Sequence, residues 1–127
     1  MERRPFTVAI VEDDPGMRRG IERLLNALVF EVEVYDSAEA FLARDPDSRI
    51  GCLVLDIHLP GMSGLELRNR LTAADSALHV IFITANDNDA VETVAIQAGC
   101  AAYLHKPFPA NLLVTAVTNA LTGLQAG

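Results

Sequence analysis

Short apolar runs recur five times along the chain, and each is followed by a stretch whose apolar side chains fall at helical spacing. Strand-like runs lie near 6–12, 30–35, 51–56, 79–84 and 101–105. Helical patterns follow near 16–28, 38–44, 65–73, 88–98 and 110–123. Strands separated by single helices favour a parallel sheet, because a parallel pair needs a long crossover. The first, third, fourth and fifth runs carry little polarity, as strands covered on both faces do. The second is different: Phe30, Val32 and Val34 alternate with Glu31 and Glu33, which suits an edge or half-exposed strand. The expectation is an α/β domain, a parallel sheet with helices on both faces and right-handed crossovers.

Local signals agree. Pro15 suits the first turn of a helix, where its missing N–H costs nothing. Ser37 is placed to cap a short helix, Asn86 or Asp87 the fourth, and Gly99 to stop it. Asp45-Pro46-Asp47-Ser48 is turn chemistry. Gln125-Ala126-Gly127 reads as a frayed end.

Four of the runs end on a polar residue: Asp13, Asp56, Thr84 and Lys106. In an open parallel sheet the carboxyl ends of the strands share one edge, and ligands bind there. Two carboxylates, a hydroxyl and an amine should therefore converge, joined by Glu12 and Asp14. Of the ten basic residues Lys106 is the sole lysine, and no Asp, Glu, Lys or Arg follows it. Clustered carboxylates need a compensating cation, and hard oxygen ligands suit Mg²⁺. A carboxylate nucleophile, a divalent metal, an ammonium and a hydroxyl are the equipment for phosphoryl transfer.

The composition excludes other classes. A net charge of −7 disfavours a nucleic-acid surface, which needs clustered Lys and Arg. No apolar run approaches the roughly 20 residues of a membrane span. No signal-peptide core precedes the first strand, so the default location is cytoplasmic. Cys52 and Cys100 read as reduced, packed thiols. His58, His79 and His105 show no metal-ligand spacing. Pro60-Gly61-Met62-Ser63-Gly64 lacks the Lys-Ser/Thr ending of a phosphate-binding loop and reads as a turn. Singly, a strand-end Asp is more often a cap or turn residue, and Asp14 is expected to be one.

The segments IVEDD (10–14), LVLDIHLPGMSG (53–64), ITA (83–85) and HKPF (105–108) together resemble the receiver domain of two-component response regulators. SAEAFL (37–42) further resembles the FixJ-like subgroup. The resemblance covers about 6–123 and implies a single receiver domain over 1–127. It implies a flavodoxin-like (βα)5 doubly wound fold with strand order 2-1-3-4-5. By the same resemblance Asp56 is the phosphoacceptor. Glu12, Asp13, Asp56 and the His58 backbone carbonyl hold Mg²⁺, with Mn²⁺ as an alternative. Thr84 and Lys106 receive the phosphoryl group, Thr84 and Tyr103 form the switch, and His58 and Asn86 tune dephosphorylation. Lys106-Pro107 is the family's cis peptide. The partner is a histidine kinase or histidine phosphotransfer protein, and the responding face is formed by the fourth helix, fifth strand and last helix. The domain is then no enzyme beyond its own phosphorylation and dephosphorylation.

The last helix offers a core face of Leu112, Leu113, Ala116, Val117, Ala120 and Leu121. Its other face, Val114, Thr115, Thr118, Asn119 and Thr122, carries no charge. That is either a neutral solvent face or a docking or homodimer surface. Two rivals come from other classes. A haloacid-dehalogenase-type phosphatase would want a second Asp two positions after the nucleophile, where His58 stands, and the nucleophile on the first strand. A scaffold that is never phosphorylated usually lacks one of the key residues, and none is missing here.

Overall fold

A computed structural model describes residues 7–74, 78–85, 89–97 and 99–126. The elements alternate strictly: β1 (Thr7–Val11), α1 (Pro15–Ala27), β2 (Glu31–Tyr35), α2 (Ala38–Leu42), β3 (Ile50–Asp56), α3 (Gly64–Ala73), β4 (His79–Thr84), α4 (Asp89–Gln97), β5 (Ala102–His105) and α5 (Ala110–Ala126). The five strands form one parallel sheet in the order β2-β1-β3-β4-β5. This is the doubly wound, flavodoxin-like arrangement expected from the sequence.

The alternation of side chains along the strands divides the core in two. Ala9, Val11, Leu53, Leu55 and Phe82 pack against Phe41 of α2, Leu67 and Leu71 of α3, and Ala95 of α4. Val8, Ile10, Cys52, Val54, Ile81 and Ile83 pack against Ile21 and Leu25 of α1 and Leu113, Val117 and Leu121 of α5. The three central strands β1, β3 and β4 are buried along almost their whole length, which explains their near-continuous apolar sequence. β2 lies at the edge, as its alternation predicts. There Glu33 is half-buried and accepts bonds from Tyr35 Oη at 2.6 Å and from Ser48 Oγ at 3.2 Å.

Helix starts follow from capping chemistry. Asp14 caps α1 by accepting from Met17 N at 3.3 Å, and Pro15 is the first helical residue. Ser37 caps α2 through Ala40 N at 3.0 Å. Gly99 follows α4 at φ +86, the left-handed stop predicted for it. Ser63 caps α3 through Glu66 N at 3.2 Å, a role hidden within what reads in sequence as a turn. The expected caps Asn86 and Asp87 lie outside the described residues.

Two expectations are corrected in α5. The helix continues to Ala126, because Leu124, Gln125 and Ala126 are good helix formers and no proline interrupts them. Leu112 is 47% exposed, whereas Leu113, Val117, Ala120 and Leu121 are buried and Val114 is half-buried. The buried stripe is thus centred on Leu113, Val117 and Leu121, which turns Leu112 outward.

Both cysteines are free, and burial pushes the Cys52 thiol up to about 12. Among the described residues no helix is long and apolar enough to cross a membrane.

Candidate functional site

The carboxyl ends of β1, β3, β4 and β5 lie side by side in the sheet, so the residues that come after them meet at one edge. Val11 is paired with Leu55, Asp56 with Ile83, and Thr84 with His105. Glu12 and Asp56 each stand one step past a Val11–Leu55 rung. Thr84 stands one step past the partner of Asp56. Lys106 follows β5, its backbone N–H donating to the Thr84 carbonyl at 2.7 Å. The Lys106-Pro107 peptide is cis, as the family resemblance implies.

Lys106 joins the two central carboxylates. Its Nζ lies 2.5 Å from Glu12 Oε1 and 3.1 Å from Asp56 Oδ2. Glu12, Asp56 and Thr84 are buried polar residues at the end of an apolar core. Burial pushes the Glu12 carboxyl from an ordinary 4.5 up to about 7, and the neighbouring Asp56 adds to the rise, against the pull of the Lys106 ammonium. For Lys106, burial alone would lower the pKa. The bonds to Glu12 and Asp56 outweigh it and hold the ammonium above its ordinary value.

The remaining carboxylate oxygen of each acid is also placed. Asp56 Oδ1 accepts from His58 N at 3.0 Å, and Glu12 Oε2 from Asp14 N at 3.1 Å. Asp13 is exposed beside them. Glu12, Asp13 and Asp56 each offer a ligand oxygen, and these oxygens lie within 4.8 Å of one another. Three hard oxygen donors, one reachable from solvent, fit a Mg²⁺-type cation that retains part of its water shell.

Of the other site residues named from sequence, His58 is exposed two positions past Asp56. Tyr103 is the register partner of Phe82, with ring centroids 6.5 Å apart, and sits edge-on to His105 at 5.3 Å. His105 Nε2 in turn lies 3.7 Å from Glu92 Oε1 of α4. Asn86 lies outside the described residues.

Two neighbours of the site escape sequence reasoning. Arg18 on α1 donates from its guanidinium to the Glu12 carbonyl at 2.8 Å, tying the helix to the end of β1. One arginine among several on a helix gives no sequence signal of this. Gly64, which opens α3, has no room for a side chain: a Cβ there would run into the Asp56 carbonyl oxygen. The glycine pair in 61–64 is visible in sequence, but not that the second lets α3 approach the end of β3.

Comparison with known proteins agrees with the fold. Residues 8–118 match the response regulator receiver domain family. The chain is 36% identical over 121 residues to the transcriptional regulatory protein FixJ of Rhizobium meliloti, covering 95% of this chain and 59% of that protein. It is 31% identical to the response regulator protein TodT of Pseudomonas putida over 95% of this chain and 53% of that protein. Among solved structures, the FixJ N-terminal domain superposes with a TM-score of 0.85 at 34% identity, covering 94% of this chain and 96% of that one. The response regulator StyR superposes with a TM-score of 0.85 at 41% identity, covering 94% of this chain and 60% of that one. The chain therefore belongs to the response regulator receiver domain family and is FixJ-like. It spans a little over half the length of these curated relatives.

Proposed function

We propose that the chain is a single phosphorylatable receiver domain over 1–127, which accepts a phosphoryl group on Asp56 from the phosphohistidine of a histidine kinase or histidine phosphotransfer protein. The observation that carries this reading is the Lys106 ammonium bridging Glu12 and Asp56 at the carboxyl edge of the sheet. A carboxylate held beside a cation and an acidic cluster is a nucleophile placed for phosphoryl transfer.

The acidic cluster of Glu12, Asp13 and Asp56 fits Mg²⁺; the His58 backbone carbonyl would complete the protein ligands, and Mn²⁺ would fit the same oxygens. When bound, the metal supplies charge neutralisation for the transferring phosphoryl oxygens. An Asp56 oxygen forms the bond to phosphorus as the phosphorus–nitrogen bond of the donor histidine breaks. Lys106 then pairs with the new phosphoryl oxygens, and Thr84 donates its hydroxyl to them. The modification adds about −1.5 to −2 charge at neutral pH. Meeting that charge favours one of two arrangements of Thr84 and Tyr103, and so reshapes the face of α4, β5 and α5. Phosphorylation shifts these populations only by its differential free energy between the states. His58 and Asn86, each two positions past a site residue, set the dephosphorylation rate.

The domain is thus a signalling module that acts on its own aspartate only. Its changed face controls an output domain or partner, or pairs two copies of the chain through α5 and its neighbours. It is assigned to the cytoplasm, where histidine kinases present phosphohistidine, and binds neither nucleic acid nor membrane directly. The test is transfer of label from a phosphorylated histidine kinase. Asp56→Asn should accept none. Lys106→Ala and Thr84→Ala should accept label yet signal poorly. A normal downstream response in Lys106→Ala would refute the role given to that residue.

A further inference from the structure

The loop that leaves Asp56 is fixed at both ends by backbone hydrogen bonds. Ile57 N donates to the Ile83 carbonyl at 3.1 Å, and Gly64 N to the Ile57 carbonyl at 2.9 Å. Ile57 and Leu59 are buried beneath it. Its outer arm, 60–62, is held from elsewhere. Glu39 of α2 reaches across, and its Oε2 accepts the Met62 N–H at 3.0 Å. The contact is close on the second side too: a Cβ at Gly61 would stand 2.6 Å from the same oxygen, and Gly61 has φ +73. That backbone N–H holds the Glu39 carboxyl below its ordinary 4.5. The carboxylate starts from a firm base, since α2 is capped by Ser37 and anchored by the fully buried Phe41.

We propose that Glu39 is a positioning residue for the Asp56 site, clamping from α2 the outer arm of the β3–α3 loop, residues 60–62, which begins two residues beyond His58. The inference rests on the proposed metal site at the sheet edge. Neither Glu39 nor Met62 belongs to the acidic cluster, so the clamp acts through the loop alone. Without it the outer arm samples other conformations, and the restraint on the peptide units between that arm and His58 weakens, so the His58 carbonyl is held less firmly toward the site. Groups that orient metal ligands typically matter by about 10–100-fold in affinity. An exposed clamp one step further out should matter less than that, about three- to tenfold.

The test is calorimetric titration of the whole chain with Mg²⁺, using wild type, Glu39→Leu, Glu39→Gln and Asp13→Asn, with thermal melts in the absence of metal. Glu39→Leu should raise the Mg²⁺ dissociation constant about three- to tenfold. Glu39→Gln, whose amide oxygen still accepts the Met62 N–H, should stay within about twofold of wild type. The metal-free melting temperatures of the three should agree, since Glu39 is exposed. Asp13→Asn should lose measurable binding. If Asp13→Asn binds like wild type, the metal site itself is misassigned and the clamp falls with it. If Asp13→Asn fails to bind but Glu39→Leu binds like wild type, or Gln does no better than Leu, the clamp alone is refuted. Glu39→Asp, which retains the charge and withdraws the acceptor by one methylene, replaces Glu39→Leu should that variant misfold, and is expected to bind as weakly.

Discussion

Glu12 and Lys106 are 94 residues apart in the chain and 2.5 Å apart in space. The pair spans the sheet edge from the end of β1 to the end of β5, across the intervening ends of β3 and β4. Because Lys106 also reaches Asp56, three ionisable groups share one buried corner. Its electrostatic balance governs both the stability of that corner and its affinity for a cation.

Removing the ammonium leaves two acids facing each other without compensation. Breaking a buried pair from one side typically costs about 3–5 kcal/mol. Lys106→Met should therefore lower the metal-free unfolding free energy by about 3 kcal/mol at pH 8, read from denaturant melts. At pH 6 the loss should shrink, because Glu12 can take up a proton. Glu12→Gln should recover part of the loss when combined with Lys106→Met.

Glu12 predicts a pH dependence of its own. Its carboxyl is raised in the folded state, from an ordinary 4.5 to about 7. Between those values the folded protein binds more protons than the unfolded chain, so its stability falls as pH rises. At about 1.4 kcal/mol per unit of pKa, the loss between pH 4.5 and 7 is at most about 3 kcal/mol. Urea melts of metal-free protein across this window should show the decline, and Glu12→Gln should flatten it. A wild-type stability rising over the same window would contradict the burial argument.

Metal binding should run the other way. A cation at Glu12, Asp13 and Asp56 must displace the Glu12 proton, so apparent Mg²⁺ affinity should climb from pH 6 to pH 8. Titrations in buffers of different ionisation enthalpy should detect a released proton at pH 6. Glu12→Gln should remove both the slope and the proton release.

Gly64 predicts a steric effect. A Cβ there would meet the Asp56 carbonyl oxygen and would stand 2.9 Å from Ile57 Cα, both backbone atoms with little freedom to yield. Gly64→Ala should cost at least about 2 kcal/mol, in the range of overpacked sites. It should also slow phosphoryl uptake at Asp56. Unchanged stability would mean that α3 and the end of β3 are not in close contact.

The outer face of α5 predicts an association. Leu112, Thr115, Ala116 and Asn119 border a groove completed by His79 of β4 and by Ala101, Ala102 and Leu104 at the β5 edge. If copies of the chain pair there, Thr118→Glu or Leu112→Glu should leave phosphoryl uptake intact and abolish phosphorylation-dependent dimers in sedimentation. Dimers that persist in both variants would place the contact elsewhere.

Sequence reasoning succeeds here where the signal is one-dimensional. The strand segments, the edge position of β2 and the residues at strand ends follow from apolar runs, the alternation of Glu31 and Glu33 in β2, and the rule that parallel strands share a functional edge, while the strand order comes from the family resemblance. The caps at Asp14 and Ser37 are legible because Asp and Ser before a helix have a defined chemistry. Contact between elements is what sequence could not show. The outward turn of Leu112 depends on how α5 rolls against the sheet, which a helical period leaves free. The Glu39 bond to Met62 crosses 23 residues, and the Arg18 bond to Glu12 joins a helix to a strand end. Neither spacing has a sequence signature.

Phosphorylation at Asp56 is tested most directly by intact-mass spectrometry after incubation with acetyl phosphate, with and without Mg²⁺, on wild type and Asp56→Asn. The expected result is a gain of one phosphoryl group in the wild type only, and only with Mg²⁺. A folded wild type that gains nothing from acetyl phosphate or from a cognate kinase would contradict the assignment, as would equal phosphorylation of Asp56→Asn.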